Sequence, residues 1–258
     1  MNKFSFSIAI LPLLFIIGCS IKEVRDGCPC RLLLDMTSVD MVDQSPVTLF
    51  VFSDEGFDFS TIIDNDDFKD TCVVDVPRTE LKVAVWSGNK GYMDNDGLAI
   101  PFGQQCPPVY IHYAEIDADA EVVCDVVLMK KNYCLLNVII DGIHEVNGMT
   151  INGGIDGFDK LGKPHYGDFS VYVQNMMGAP SSVSFYIPRQ DGTPLYLDVT
   201  ENDGKIRRFP LHDYISEFGY DWASKDLNDL NIVLNYTPVG VIVTIKDWDE
   251  ELTIDVVI

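Results

Sequence analysis

The residues best placed for chemistry stand near the start of the chain, where Ile16-Ile17-Gly18-Cys19 closes an apolar leader. Met1-Asn2-Lys3 supplies a positive start, and an apolar run broken by Pro12 extends from Phe4 to Ile17. That run is shorter than the roughly 20 apolar residues that span a bilayer as a helix, and it suits a secretory h-region. A small residue followed at once by cysteine fits the bacterial lipoprotein pattern, in which the leader is cut away and the cysteine is acylated. An ordinary secretory leader with a chance cysteine is the plainer alternative. Leader length, flanking charge and cysteine position agree on lipidation, so Cys19 is the expected lipid attachment point and new N-terminus.

Six further cysteines follow: Cys28, Cys30, Cys72, Cys106, Cys124 and Cys134. Export to an oxidising compartment permits up to three disulfides among them, in any of 15 pairings that spacing alone does not choose between. Zinc is the rival use. Cys28-Pro29-Cys30 is not a CxxC, however, and no second pair with ligand spacing follows. Buried structural thiols are the third use, because cysteine is among the most buried residue types.

Catalytic patterns are missing from the sequence. No GxSxG elbow, Walker loop, GxGxxG or HExxH helix occurs. His144-Glu145 opens like a zinc-protease motif, but Gly148 stands where the second histidine belongs. EF-hand frames placed on Gly97 or Gly204 put Tyr92 or Val199 at the first ligand position, where a carboxylate is needed. Asp64, Asp66 and Asp67 could form a looser calcium site, against which stands a solvated acidic loop. His112, His144, His165 and His212 are scattered singly, and neighbouring carboxylates such as Glu250-Glu251 would face opposite sides of a strand. The expectation is a protein that is not an enzyme and carries no cofactor or metal.

Charge narrows the partners. The 258 residues hold 18 basic and 40 acidic side chains, a net of −22, and loss of a leader containing only Lys3 takes it to −23. Such a field repels phosphate backbones, so nucleic acid is not an expected partner. It also repels anionic lipid. Membrane attachment therefore has to come from covalent lipid, with at least two acyl chains for a stable hold.

The elements that would carry any site read as strands. Arg31–Met36, Val47–Phe52, Thr71–Val76, Leu81–Trp86, Glu121–Met129 and Tyr133–Asp141 are short apolar or alternating runs bounded by turn residues. Gly88–Pro108 and Gly142–Gly167 read as long Gly-rich loops. Strands follow at Phe169–Gln174, Ser182–Ile187 and Pro194–Val199, and again at Asn231–Tyr236, Val239–Lys246 and Leu252–Ile258. One short helix is predicted over Pro210–Gly219, where Leu211, Tyr214, Ile215 and Phe218 share a face. Strands at 8–12-residue spacing without a βαβ rhythm predict β-sandwiches. The chain divides into a leader at 1–18, a tether at 19–30, and domains at 31–130 and 131–258. At the free end, Leu252, Ile254, Val256 and Ile258 fall on one face, a pattern fitting a strand donated to a partner as well as a closing strand of the second sandwich.

These segments in order resemble a known family. They are the lipobox, Cys28-Pro29, Leu33-Leu34-Asp35-Met36, Leu49-Phe50-Val51-Phe52-Ser53-Asp54-Glu55-Gly56 and Val83-Ala84-Val85-Trp86-Ser87-Gly88. Val127-Leu128-Met129-Lys130-Lys131-Asn132, leading into Leu136–Ile140, and Val243-Thr244-Ile245-Lys246-Asp247-Trp248 complete the set. The chain is similar to the fimbrillin-A-associated anchor proteins of Bacteroidales, lipoprotein subunits of type V fimbriae. The resemblance implies an all-β protein of two transthyretin-like β-sandwich domains in tandem, lipid-anchored in the outer membrane at the cell surface. It implies fimbrial pilin subunits as partners, met by β-strand exchange, and a role anchoring or terminating the polymer. Relatives serve as stalk or tip subunits. A surface lipoprotein that binds glycan is the alternative, for which Tyr214, Phe218, Tyr220 and Trp222 form the nearest aromatic cluster.

Overall fold

Along Cys30-Arg31-Leu32-Leu33-Leu34-Asp35 burial alternates, with Cys30, Leu32 and Leu34 wholly buried, which makes it strand β1 (Cys30–Asp35). The computed structural model describes residues 28–39, 45–88, 93–94, 96–141, 146–174, 181–237, 240–246 and 251–257. Strand β1 lies between β4 (Thr71–Val76), antiparallel to it, and β9 (Val122–Val126), parallel to it. The facing sheet runs β10 (Lys130–Lys131), β8 (Tyr110–Asp117), β5 (Glu80–Ser87), β2 (Val47–Phe52), β3 (Asp58–Ile63). Leu32, Leu34, Val74 and Val76 meet Leu49, Val51, Val83 and Val85 across the first core.

Strand β2 is buried at all six positions, which is why its sequence is apolar without alternation. Its second face explains this. Phe50 and Phe52, with Ala84 and Trp86 on β5 and Ile111 on β8, belong to the core of the second sandwich. There β11 (Tyr133–Asp141) sits between β14 (Ser181–Pro188), antiparallel, and β17 (Leu230–Thr237), parallel. The sheet continues through β18 (Gly240–Lys246) to β19 (Glu251–Val257). Its facing sheet is built on the long strand β12 (Val146–Asp159). Strand β12 pairs with β13 (Pro164–Gln174) and β15 (Leu195–Glu201), and β15 pairs with β16 (Ile206–Phe209). Strand β7 (Gly97–Ala99) and its partner β6 (Met93–Asp94) join the far end of β12.

The two sandwiches repeat one topology. In each, the first strand is flanked by an antiparallel and a parallel neighbour, and the facing sheet opens with a hairpin, β2–β3 or β12–β13. The repeat reaches the sequence, where Cys30-x-Leu32-x-Leu34 corresponds to Cys134-x-Leu136-x-Val138, all six residues fully buried. Among the described residues, strands β18 and β19 have no counterpart in the first sandwich, whose described sheet ends at β9.

Two stretches expected as loops are strands. Most of Gly142–Gly167 is the β12–β13 hairpin, and Gly88–Pro108 contains β6 and β7. Glycine density suggests loop chemistry, but here it permits close approach of backbones. A Cβ on Gly157 would stand 2.0 Å from the Leu98 carbonyl oxygen, and one on Gly97, at φ +133°, 2.2 Å from that of Phe158. Residues 93–99 precede the expected division near 131, yet they complete the sheet of the second sandwich. The helix α1 (Leu211–Glu217) lies where expected, the one α-helix among the described residues. Leu211 and Ile215 are buried, and Gly219 at φ 81° ends the turn.

Candidate functional site

The sandwiches are joined at a polar seam. Asn132 carries the chain between them, its N–H donating to the Val109 carbonyl and its carbonyl accepting from the Arg189 N–H. Lys131, just before it, is buried. Its ammonium donates to Asp229 at 2.6 Å and to the Leu227 carbonyl at 2.9 Å, and lies 4.6 Å from the Tyr133 ring centroid. Arg189 is the hub of the seam, only 6% exposed. Its guanidinium donates to the carbonyls of Lys131 (3.1 Å from Nε), Ser224 (2.8 Å), Lys225 (3.3 Å) and Trp222. Burial pushes its pKa down to about 10, still a cation at neutral pH. A second tie is the tip of the β12–β13 hairpin. Trp86 Nε1 donates to the Lys160 carbonyl at 3.1 Å, and the Lys160 ammonium sits 3.9 Å from the Phe52 ring centroid.

A cleft of about 790 Å³ opens beside this seam, lined by Tyr113, Lys130, Leu161, Asp191 and Trp222 among others. Burial and the nearby Arg189 charge lower the Lys130 pKa. Of the aromatic cluster near α1, Tyr214, Phe218 and Tyr220 pack partly buried against the second core, and Tyr220 and Trp222 stack edge to face at 4.8 Å. Trp222 alone of the four lines the cleft.

Two of the histidines are each paired with an aspartate. The Leu128 N–H donates to His112 Nδ1 at 3.1 Å, leaving Nε2–H to donate to Asp125 at 2.8 Å. That pair ties β9 to β8. His165 lies exposed against Asp156, and His144 falls outside the described residues. Asp66 and Asp67 occupy a short exposed 3₁₀ turn that Asp64 caps. Among the described residues, no three His, Cys, Asp or Glu side chains are grouped to hold a metal ion.

Cys19 and Ile258 lie outside the described residues. All six other cysteines are free thiols, rather than the disulfides their number allowed. In the first sandwich, geometry separates them. Cys72 points to the core and Cys124 away from it, on opposite faces of one sheet. Cys30 pairs with Val76, four residues along β4 from Cys72, so the two lie about 13 Å apart, beyond the roughly 7 Å a disulfide spans. In the second sandwich, Cys106 and Cys134 are buried apart, their thiols directed at the Pro107 and Asn228 carbonyls. Burial pushes the Cys134 thiol up to about 12, far from the reactive thiolate range. N-ethylmaleimide at pH 8 is therefore expected to label Cys28 and Cys124 in the folded chain and all six in guanidinium, counted by intact mass. A native chain that resists labelling at both and weighs two hydrogens less contradicts this.

The segment weighed both as a donor and as a closing strand pairs at home. Strand β19 is hydrogen-bonded antiparallel to β18, Ile254 opposite Val243 and Val256 opposite Val241. Leu252 and Ile254 are half-buried on the same face. Sequence reasoning passed over Arg189 and Lys131. Arg189 is a single cation after apolar strand residues and Lys131 the second of a lysine pair, and no periodic pattern separates either from a surface side chain.

No family model and no curated protein matches the sequence. Solved structures do. The fold is similar to the fimbrial anchor protein Mfa2 from Porphyromonas gingivalis, with TM-score 0.63 at 11% identity over 87% of this chain and 99% of that one. It is similar to a candidate adhesin from Bacteroides ovatus, with TM-score 0.65 at 12% identity over 88% and 95%. A candidate polysaccharide-binding protein from Bacteroides thetaiotaomicron gives TM-score 0.58 at 13% identity over 86% and 99%. At such identities the likeness establishes a shared two-sandwich architecture, spanning nearly the whole of each relative.

Proposed function

We propose that the chain is a lipid-anchored subunit of a cell-surface fimbria that holds or terminates the polymer by β-strand pairing. The observation that carries the proposal is the end-to-end correspondence with a fimbrial anchor protein, 87% of this chain on 99% of that one. The lipoprotein leader ending at Cys19 supports it independently. In this reading, Cys19 carries the acyl chains in the outer membrane, residues 20–29 form the tether, and the sandwiches present edge strands to a pilin subunit. Backbone hydrogen bonds would hold that joint while alternate side chains set its specificity. No catalysis is involved. A base position is favoured over stalk or tip, because a lipid anchor fixes one end of the subunit at the membrane.

Affinity purification of the tagged full-length chain from its own cells is expected to recover a fimbrial polymer. A chain lacking residues 252–258 that folds and still recovers it would exclude β19 as a donor strand. Recovery of no fimbrial component by the intact chain would overturn the proposal.

A second reading rests on the cleft at the seam. Trp222 and Tyr113 offer aromatic faces, with Lys130 and Asp191 as hydrogen-bonding groups, which suits a sugar. A glycan array without hits removes it.

A further inference from the structure

We infer that the cleft at the seam takes an acidic sugar, a uronate whose carboxylate pairs with the Lys130 ammonium while its ring lies on Trp222. The inference rests on the second reading above and names the class of sugar that the cleft selects. Its first ground is a lysine without a partner. Among the described residues, every other buried or half-buried lysine has one. Lys82 meets Asp54, Lys131 meets Asp229, Lys246 meets Glu251, and Lys160 lies over the Phe52 ring. The Lys130 ammonium, half-buried on the cleft wall, makes neither an ion pair nor a hydrogen bond with the described residues. Burial and the Arg189 charge both work against its protonation, a cost that a bound anion would offset. In a chain with 40 acidic side chains against 18 basic ones, a half-buried cation without a carboxylate stands out from its surroundings.

The second ground is the charge balance of the cleft. Lys130, Arg189 and Lys225 line it with Asp191 and Asp221, three cations to two carboxylates in a protein of net charge −22. Both carboxylates are engaged. Asp191 accepts from the Tyr166 hydroxyl, and Asp221 Oδ1 accepts from the Ala223 N–H at 2.8 Å. Arg189 gives its guanidinium N–H groups to main-chain carbonyls, so its charge is hydrogen-bonded without being paired to a carboxylate among the described residues. It adds positive potential to the cleft without being free to bind, and Lys130 is the group left to meet an anion. At physiological salt, charges beyond roughly 8 Å are largely screened, so an anion in the cleft feels this wall more than the acidic surface.

The third ground is the wall on which a ring would lie. The Trp222 carbonyl accepts from Arg189, and its indole meets Tyr220 edge to face at 4.8 Å, so the aromatic wall is set before any ligand arrives. Exposed Leu128 and half-buried Leu161 add apolar surface. A cleft of about 790 Å³ has room for a short oligosaccharide. A neutral sugar would use the aromatic wall but leave Lys130 desolvated and unpaired, and this is what favours the acid.

The test is a tryptophan-fluorescence titration of the full-length chain in detergent with uronate oligosaccharides of the galacto, gluco and manno series. Each is set against the same oligosaccharide after reduction of its carboxyls to alcohols. At least one uronate is expected to bind about tenfold or more tightly than its reduced form, the size of one charge-assisted contact. Lys130→Gln keeps a hydrogen-bonding side chain without the charge, and is expected to abolish that preference while leaving affinity for the reduced form unchanged. Its urea midpoint should match the wild type, since the ammonium has no partner to lose. Should the variant fail to fold, added salt reads the same contact, weakening the uronate and sparing its reduced form. Uronates and reduced forms that bind equally overturn the inference while the sugar reading stands. So does a folded Lys130→Gln chain that keeps the wild-type preference. If no sugar of either kind binds, the sugar reading itself fails, an outcome distinct from both.

Discussion

Arg189→Ala is expected to lower the stability of the whole chain by about 3–5 kcal/mol, the range for breaking a buried, charge-assisted network. The guanidinium joins the carbonyl of Lys131 at the crossover to those of Trp222, Ser224 and Lys225 on a single loop. Alanine takes one donor from each of those oxygens, the Lys225 carbonyl keeping the Lys131 N–H, and each unmet buried acceptor costs roughly 1–3 kcal/mol. Lysine retains the charge but not the planar fork, so Arg189→Lys is expected to recover only part of the loss. Urea unfolding followed by tryptophan fluorescence measures both variants. Trp222 lies on the loop that Arg189 holds, so local loosening would register as an early fluorescence change before the main transition. A loss below about 1 kcal/mol for Arg189→Ala would show that the seam is held by apolar packing around Trp86 and Phe52 instead.

How much of this was legible in the sequence depended on the range of the interaction concerned. Strand β1 announces itself as a short apolar run and helix α1 through a period-3.6 pattern, because their burial is decided by the residues within them. Strand β2 reads as an unbroken apolar run for a non-local reason, its second face being buried by the other sandwich. The β12–β13 hairpin and the β6–β7 pair were hidden by glycines. Local reasoning assigns glycine to turns, while Gly97 and Gly157 serve to bring two strands closer than a Cβ allows. The candidate sites divide in the same way. Cys19 is read from a contiguous motif, whereas Arg189 and the cleft beside it exist only once distant segments are paired. The internal repeat was invisible in composition and spacing, because only Cys-x-Leu-x-Leu and Cys-x-Leu-x-Val survive of it in sequence.

The largest effect expected of any single substitution is at Cys19. Hydrophobic anchoring gains about 0.8 kcal/mol for each CH₂ taken into the bilayer, and stable attachment takes at least two acyl chains. The chain without its leader carries a net charge of −23, which repels an anionic leaflet, and among the described residues no helix is long and apolar enough to cross a membrane. Position 19 lies outside the described residues, which begin at Cys28. Cys19→Ala is therefore expected to yield a folded protein with the thermal stability of the wild type, lost from the membrane fraction. If the chain links the polymer to the cell, the polymer should leave with it. The direct measurement is the amount of fimbrial polymer in the culture medium against that on the cells, for strains carrying cysteine or alanine at position 19. The proposed anchor role predicts that alanine moves most of the polymer into the medium, together with the variant chain. Polymer that stays on cells whose Cys19→Ala chain has been released would contradict it.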